Sequence, residues 1–328
     1  MNNNIKVSVC IPVYRVEPYI ARCVRSLLEQ TISGLELIFV NDCTPDNSIQ
    51  VLEETLKEYQ RDDVTVKIIH HEKNMGVTAA RFTAMNAVTG KYFIHCDPDD
   101  WIEPEMYQSM YDEIIRTDSD MVYCDFEHFD DNGNKKIKKE AKCSSPEDVI
   151  KAIISPSCDC WGSLVIKLWR SSVKDNISCP SSISFCEDVI MSVQMLLKCK
   201  QVSYIPKAFY HYYTNINGIC HSSENKGYNS YIDILTYLKT ILSNEDQIRY
   251  LISYWQFLMI HSIRLCEPYG KKLFQNIQPE MKALLTRQIE GKNYHSNDML
   301  LVRMAFISYS LTITMFKMYG KIHTIIKK

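Results

Sequence analysis

Several signatures are missing from this chain, and each absence removes a class of function. No G-x-G-x-x-G and no G-K-[ST] follows any strand-like run, which disfavours Rossmann dinucleotide binding and P-loop nucleotide hydrolysis. Charge of neither sign dominates: a formal net charge of −2 gives no global field to draw nucleic acid, and none is expected as a partner. The first residues, Met1-Asn2-Asn3-Asn4-Ile5-Lys6, lack the apolar core of a secretory leader. No second cysteine pair stands at zinc-finger spacing from Cys158-x-Cys160, so a zinc site is not expected. The 13 cysteines are odd in number and scattered, with Cys10, Cys96 and Cys124 inside apolar runs. Reduced thiols in a cytoplasmic protein are therefore expected rather than a disulfide framework.

What the chain does contain is an alternation of elements. Val7–Val13 reads as a buried strand, and Glu17-Pro18 opens a helix whose apolar face is Ile20, Val24, Leu27 and Leu28. Residues 35–40 form a second strand and Ile49, Leu52, Leu56 and Tyr59 mark a second helix. A third strand over 66–70, a third helix from Val77 to Val88 and a fourth strand from Tyr92 to Cys96 follow. Four strands separated by three helices predict an α/β fold, a mostly parallel central sheet with helices on both faces. Ligands bind such sheets at the carboxyl ends of the strands. Tyr14-Arg15, Asn41-Asp42, His71-Glu72 and the acidic run Asp97-Pro98-Asp99-Asp100 all stand there. Carboxylates crowded this closely repel one another unless a cation or a proton intervenes. Asp97 and Asp99 flank one residue, a spacing that suits Mg²⁺ or Mn²⁺ holding a substrate phosphate, while an acidic turn capping the next helix reads equally well from these residues alone.

Four blocks in order carry a resemblance. They are residues 8–14 (SVCIPVY), residues 40–46 (VNDCTPD), Asn74-Met75-Gly76 with Ala80-Arg81, and Asp97-Pro98-Asp99-Asp100-Trp101. Together they closely resemble the family 2 glycosyltransferases of bacterial polysaccharide biosynthesis, which have the GT-A fold. The second block usually reads Asp-Asp-Gly-Ser-x-Asp there, so Asn41 and Cys43 are departures. The resemblance implies an inverting glycosyltransferase, hexosyl- or N-acetylhexosaminyl-type, using a nucleotide-diphosphate sugar, most often UDP-linked. It implies that Pro12, Tyr14 and Glu17 lie along base and ribose and that Asp42 accepts a hydrogen bond from uracil. Asn74, Gly76 and Arg81 fall in its nucleotide-binding half, Arg81 supporting the acidic residues or the diphosphate. Asp99 becomes the direct Mn²⁺ or Mg²⁺ ligand, Asp97 serves the ribose or the metal's waters, and Asp100 holds the loop.

Residues 160–170 resemble the acceptor side of the same family. There Trp161 offers an indole face to a sugar ring, although a core tryptophan reads equally well from the sequence. Glu187-Asp188 opens a helix; an acidic pair favours a helix start in any case, while the resemblance makes Asp188 the catalytic base and Glu187 its neighbour. Nothing marks a nucleophile, so a single displacement is expected. The segment 210–214 (YHYYT) is expected to act as a mobile flap, with His211 or His221 near the diphosphate. From Tyr228 the pattern turns helical, giving a domain over 1–225 (nucleotide half 1–105, acceptor half 106–225) and a helical C-terminal region, 226–328. Residues 299–328 hold Arg303, Lys317, Lys321, Lys327 and Lys328 and no Asp or Glu. Such a run suits peripheral contact with an anionic membrane, consistent with a glycan or lipid-linked saccharide acceptor. The rival readings are a GT-A-like nucleotidyltransferase and a catalytically silent assembly subunit.

Overall fold

A computed structural model of the chain describes residues 5–215 apart from 60, 130–132, 155–158, 181–182 and 184–185, together with scattered positions between 234 and 315. Two compact units are present, Met1–Ile150 with Cys160–Glu224, and Lys151–Asp159 with Asn225–Lys328. The first unit carries the sheet. Its strands are β1 (Val7–Val13), β2 (Leu35–Asn41), β3 (Val64–His70), β4 (Tyr92–His95), β5 (Trp101–Ile102), β6 (Met121–Phe129), β7 (Lys135–Lys138), β8 (Lys167–Arg170) and β9 (Val202–Tyr213). The helices among the described residues up to 215 are α1 (Ile20–Leu28), α2 (Ser48–Lys57), α3 (Val77–Ala87), α4 (Met106–Thr117), α5 (Pro146–Ile154) and α6 (Glu187–Leu196).

The strand order is β3-β2-β1-β4-β8-β6-β9-β5, with β7 beside β6. The four strands read from the sequence pair in parallel, with Val13 opposite Asn41 and Asn41 opposite His70. Every residue of β1 is buried, as expected of a strand covered on both faces. Beyond β4 the sheet turns mixed: β8 pairs antiparallel with both β4 and β6, while β9 runs parallel to β6. The chain therefore ends four parallel strands at one edge of the sheet, where the loops carrying Asp42, His71 and Asp97 leave it.

Three differences from the sequence reading have physical causes. Residues 17–19 form a turn and α1 begins at Ile20, with Tyr19 as its N-cap. Residues 210–213, expected as a flap, are the last part of β9, hydrogen-bonded to β6 on one side and to β5 on the other; aromatic residues suit a pleated, half-buried surface. Helix α4 went unread, although Met106, Tyr107, Met110 and Ile114 line its buried face at helical spacing. Most described positions beyond residue 225 are helical. Leu251, Tyr254, Trp255, Leu258 and Leu265, which stand at helical spacing in the sequence, and His221 lie outside the described residues.

Candidate active site

The loop after β2 is tied down by its own polar residues. Asn41 Oδ1 accepts the Thr44 N–H at 2.9 Å, an Asx-type turn that an Asp at this position would also make. Cys43 has φ 54°, the left-handed region, at the place where the resembled pattern carries glycine. Asp46 gathers the hydroxyls of Thr44 and Ser48, both at 2.6 Å, and the Glu17 N–H at 3.1 Å. Glu17 answers from the other side, accepting Asn47 N–H at 3.0 Å and Asn47 Nδ2 at 3.2 Å. Glu17 thus clamps the β1 and β2 loops together. Pro12 is buried in β1, while Tyr14 is exposed at the strand's end.

Asp42 is nearly inaccessible and heavily committed. Its Oδ1 accepts His71 Nδ1 at 2.7 Å and Met75 N–H at 2.8 Å, and its Oδ2 accepts Gly76 N–H at 2.8 Å. Gly76 has φ 87° and ψ 162° and precedes α3, a backbone shape open to glycine at little cost. Asn74 is exposed at the tip of this turn. The carboxylate therefore shapes the 74–76 loop and keeps one Oδ2 lone pair for a further donor. His71 reaches on to Thr83 Oγ1 at 2.9 Å, which fixes the ring between β3 and α3.

Arg81 is the hub of the acidic side. It is buried; its Nη2 donates to Asp97 Oδ1 at 2.9 Å and its Nε donates to Glu187 Oε1 at 3.1 Å. Its Nη1 has no partner among the described residues. Burial works against the charge, but Asp97 and Glu187 hold the guanidinium protonated. Residues 16 and 106 positions away in sequence are thereby brought to one side chain.

The acidic run divides by hydrogen bonding. Asp100 is buried and accepts Tyr210 Oη at 2.5 Å and Tyr213 N–H at 2.8 Å, so it fastens the loop to β9. Tyr210 Oη in turn accepts the Asp97 N–H at 3.2 Å. Asp99 Oδ2 accepts Asn215 Nδ2 at 3.1 Å, and burial, with the charge of Asp97, pushes its carboxyl up to about 6. Beside it, Arg22 donates to the Asp99 carbonyl at 2.7 Å and lies 3.8 Å over the Trp101 ring.

A divalent cation fits this pair. Among the described residues, Asp97 and Asp99 each use one carboxylate oxygen and keep the other uncommitted. Oxygen-only donors suit Mg²⁺ or Mn²⁺, which take one or two carboxylates and complete their shell with water and phosphate. No group of three or more His, Cys, Asp or Glu stands ready to hold a metal among the described residues.

At the start of α6, Glu187 is held by Arg81, while among the described residues the Asp188 carboxylate accepts the Val189 N–H, at 2.8 Å. Burial raises both carboxyls above their ordinary range. Trp161 is partly buried, stacked on Phe126 with ring centroids 4.3 Å apart and edge-on to Tyr212 at 5.2 Å. Its backbone is gripped at both ends, by Glu140 on the N–H at 2.7 Å and by the buried ammonium of Lys167 on the carbonyl. His211 is committed elsewhere, stacking on Trp101 at 5.1 Å and bonding Glu103 at 2.8 Å. Sequence reasoning passed over Arg22, Tyr210, Lys167 and Asn215. Tyr210 and Lys167 stood inside segments singled out in the sequence, 210–214 and 160–170, but neither was given a role there.

Comparison with known proteins places these residues in a context. Residues 8–168 match the profile of glycosyl transferase family 2. Over 120 residues the chain is 39% identical to the uncharacterized glycosyltransferase EpsJ of Bacillus subtilis (strain 168), covering 37% of this chain and 33% of that protein. It is 29% identical over 268 residues to the putative glycosyltransferase EpsH of the same bacterium, covering 78% of this chain and 75% of EpsH. The chain thus spans about a third of the length of one relative and three quarters of the other. The crystal structure of S. aureus TarS 1–349 in complex with UDP-GlcNAc superposes with a TM-score of 0.68 at 20% identity, covering 85% of this chain and 81% of that one.

Proposed function

The chain belongs to glycosyl transferase family 2, has the GT-A fold and is a glycosyltransferase, and from that premise we propose that it moves one sugar from a UDP-sugar to a hydroxyl of a glycan or lipid-linked acceptor in bacterial cell-surface polysaccharide synthesis. The observation that carries the reading is the shared guanidinium of Arg81, which joins Asp97 of the acidic run to Glu187 beside Asp188. One buried cation thereby fixes the spacing between the diphosphate end of the site and its basic end.

In this reading Asp42 and Gly76 shape the pocket for the base, Tyr14 and Glu17 flank it, and Asp97 and Asp99 would hold Mn²⁺ or Mg²⁺. The metal, when bound, neutralises the diphosphate leaving group. Asp188 takes the proton of the acceptor hydroxyl as that oxygen attacks the anomeric carbon opposite the diphosphate. A raised carboxyl is a better base than an ordinary one, and burial at Asp188 acts in that direction. The step is a single displacement and inverts the anomeric centre. Trp161, supported by Phe126 and Tyr212, would offer its indole to an acceptor ring.

Thermal unfolding of the full chain with a panel of nucleotide sugars, with and without Mn²⁺, tests this, because a bound donor stabilises the fold by mass action. A UDP-sugar is expected to raise Tm only with Mn²⁺ present, and the Asp99→Asn chain should lose that rise. No stabilisation by any nucleotide sugar, or an equal rise in both chains, overturns the reading.

A further inference from the structure

In the second unit, the described positions from Met304 to Met315 are helical apart from Ser308. The described residues of this segment divide between buried and exposed positions. Tyr309 is 7% exposed and Thr312 is fully buried, whereas Ile307 is 85%, Leu311 57% and Met315 48% exposed. The three apolar residues are spaced four apart, so they lie on one side of the helix in a single stripe. Ser310 and Thr314 complete that side with small hydroxyls. The other exposed large hydrophobics among the described residues, such as Ile115 and Ile137, stand singly on separate elements. Scattered exposure of that kind is ordinary, but an aligned stripe calls for an occupant.

Charge identifies the occupant. Residues 299–328 contain Arg303, Lys317, Lys321, Lys327 and Lys328 and no Asp or Glu. An apolar stripe flanked by cations, with no anion, is complementary to a surface that is apolar within and anionic at its rim. Three aligned side chains are far short of the roughly 800 Å² per partner of a stable protein interface, which disfavours a second copy of the chain. They suffice for a helix lying about 5–10 Å deep at a headgroup boundary, where shallow apolar contact and electrostatic attraction act together. No helix among the described residues is long and apolar enough to cross a membrane.

We infer that the helix bearing Ile307, Leu311 and Met315 lies on the surface of an anionic lipid bilayer with its apolar stripe inserted, and that the cations of residues 299–328 supply the attraction to anionic headgroups. The inference deepens the proposed use of a lipid-linked acceptor, but its test needs no sugar transfer, so either can fail alone.

The test is sedimentation of the full chain with vesicles of phosphatidylcholine alone or mixed with phosphatidylglycerol. Binding is expected to the mixed vesicles only and should weaken as salt rises. Leu311→Glu should lower the partition coefficient by about tenfold or more, since it replaces a buried apolar contact by a charge. Ile137→Glu, on a similarly exposed residue of the β7 arm, should bind like the natural chain. Thermal unfolding monitors the fold of each, and Leu311→Ser replaces Leu311→Glu should the latter not fold. Equal binding of the natural and substituted stripes overturns the inference, as does failure of the natural chain to bind mixed vesicles. So does a concentration-dependent dimer that the Leu311 substitution abolishes.

Discussion

Arg81 and Glu187, 106 residues apart in the chain, meet inside the protein with Nε 3.1 Å from Oε1, and the same guanidinium reaches Asp97 at 2.9 Å. Removing one partner of a buried ion pair strands the other in a poor solvent, a loss of about 3–5 kcal/mol. Arg81→Ala is therefore expected to lower unfolding free energy by about that amount in urea titrations. Arg81→Lys should fall between, because it keeps the charge but loses the fork that spans both carboxylates. A loss below about 1 kcal/mol for the alanine variant would show that water, not Arg81, satisfies Glu187.

The two acidic residues at the start of α6 differ in their commitments, and their variants should differ in kind. Asp188→Asn keeps a polar side chain able to cap Val189 only through its carbonyl oxygen, and it removes the proton acceptor. Transfer is expected to drop about 10²–10⁴-fold with UDP affinity nearly unchanged. Glu187→Gln takes a charge from Arg81 and should instead reduce stability and donor affinity together. Steady-state rates at saturating donor, with calorimetric UDP titrations, separate the two; an active Asp188→Asn chain would reverse the assignment.

The parallel half of the sheet was legible because each strand is a short apolar run bounded by turn residues, and burial on both faces demands that pattern. The acidic run drew notice by its place at a strand end, although its residues read equally well as an acidic turn before the next helix. What stayed hidden depends on long-range contacts. Nothing near Tyr210 announces that its hydroxyl fastens Asp100, and nothing near Lys167 announces that it holds the Trp161 carbonyl. The tyrosine-rich end of β9 looked mobile because its pairing partners, Phe126 to Phe129 on one side and Trp101 on the other, lie far off in sequence. Trp161 as an acceptor platform and Asp188 as base rest on likeness rather than on local pattern.

Cys43 offers a local test of the departure from the family pattern. At φ 54° a non-glycine residue is disfavoured by about 1–2 kcal/mol, while glycine loses more chain entropy on folding. Cys43 is exposed, so no packing is lost on substitution. Cys43→Gly is expected to stabilise the protein by about 0.5–1 kcal/mol in thermal unfolding. A destabilised variant would mean that the thiol makes a contact worth more than the backbone strain.

The unliganded protein should lose stability from the acidic run as pH rises. Asp99 is pushed up to about 6 by burial and by Asp97, from an ordinary value of 3.8. The folded state thus binds this proton more tightly than the unfolded chain does. Its contribution is full below pH 3.8 and disappears as pH rises through about 6. Asp99→Asn cannot titrate, so the difference in unfolding free energy between the two chains should change by on the order of 2 kcal/mol across that window. Glu187 and Asp188, raised in the same direction, are common to both chains and cancel. A flat difference curve would place Asp99 in water.

Arg22 links the acidic run to the aromatic cluster, and its loss should be felt through the metal. The guanidinium donates to the Asp99 carbonyl at 2.7 Å while lying 3.8 Å over Trp101 and 5.2 Å from Tyr213. Such stacking contributes about 0.5–1 kcal/mol at an exposed site, so global stability should change little in Arg22→Lys. Lysine, however, cannot stack as a plane and hydrogen-bond the carbonyl together. The loop carrying Asp97 and Asp99 would then sample more conformations, and the carboxylates would be less often in place for a cation. The Mn²⁺ concentration giving half-maximal UDP binding is expected to rise several-fold, with UDP affinity at saturating Mn²⁺ nearly restored. Unchanged Mn²⁺ dependence in a folded Arg22→Lys chain would mean that Tyr210 and Asn215 alone hold the loop.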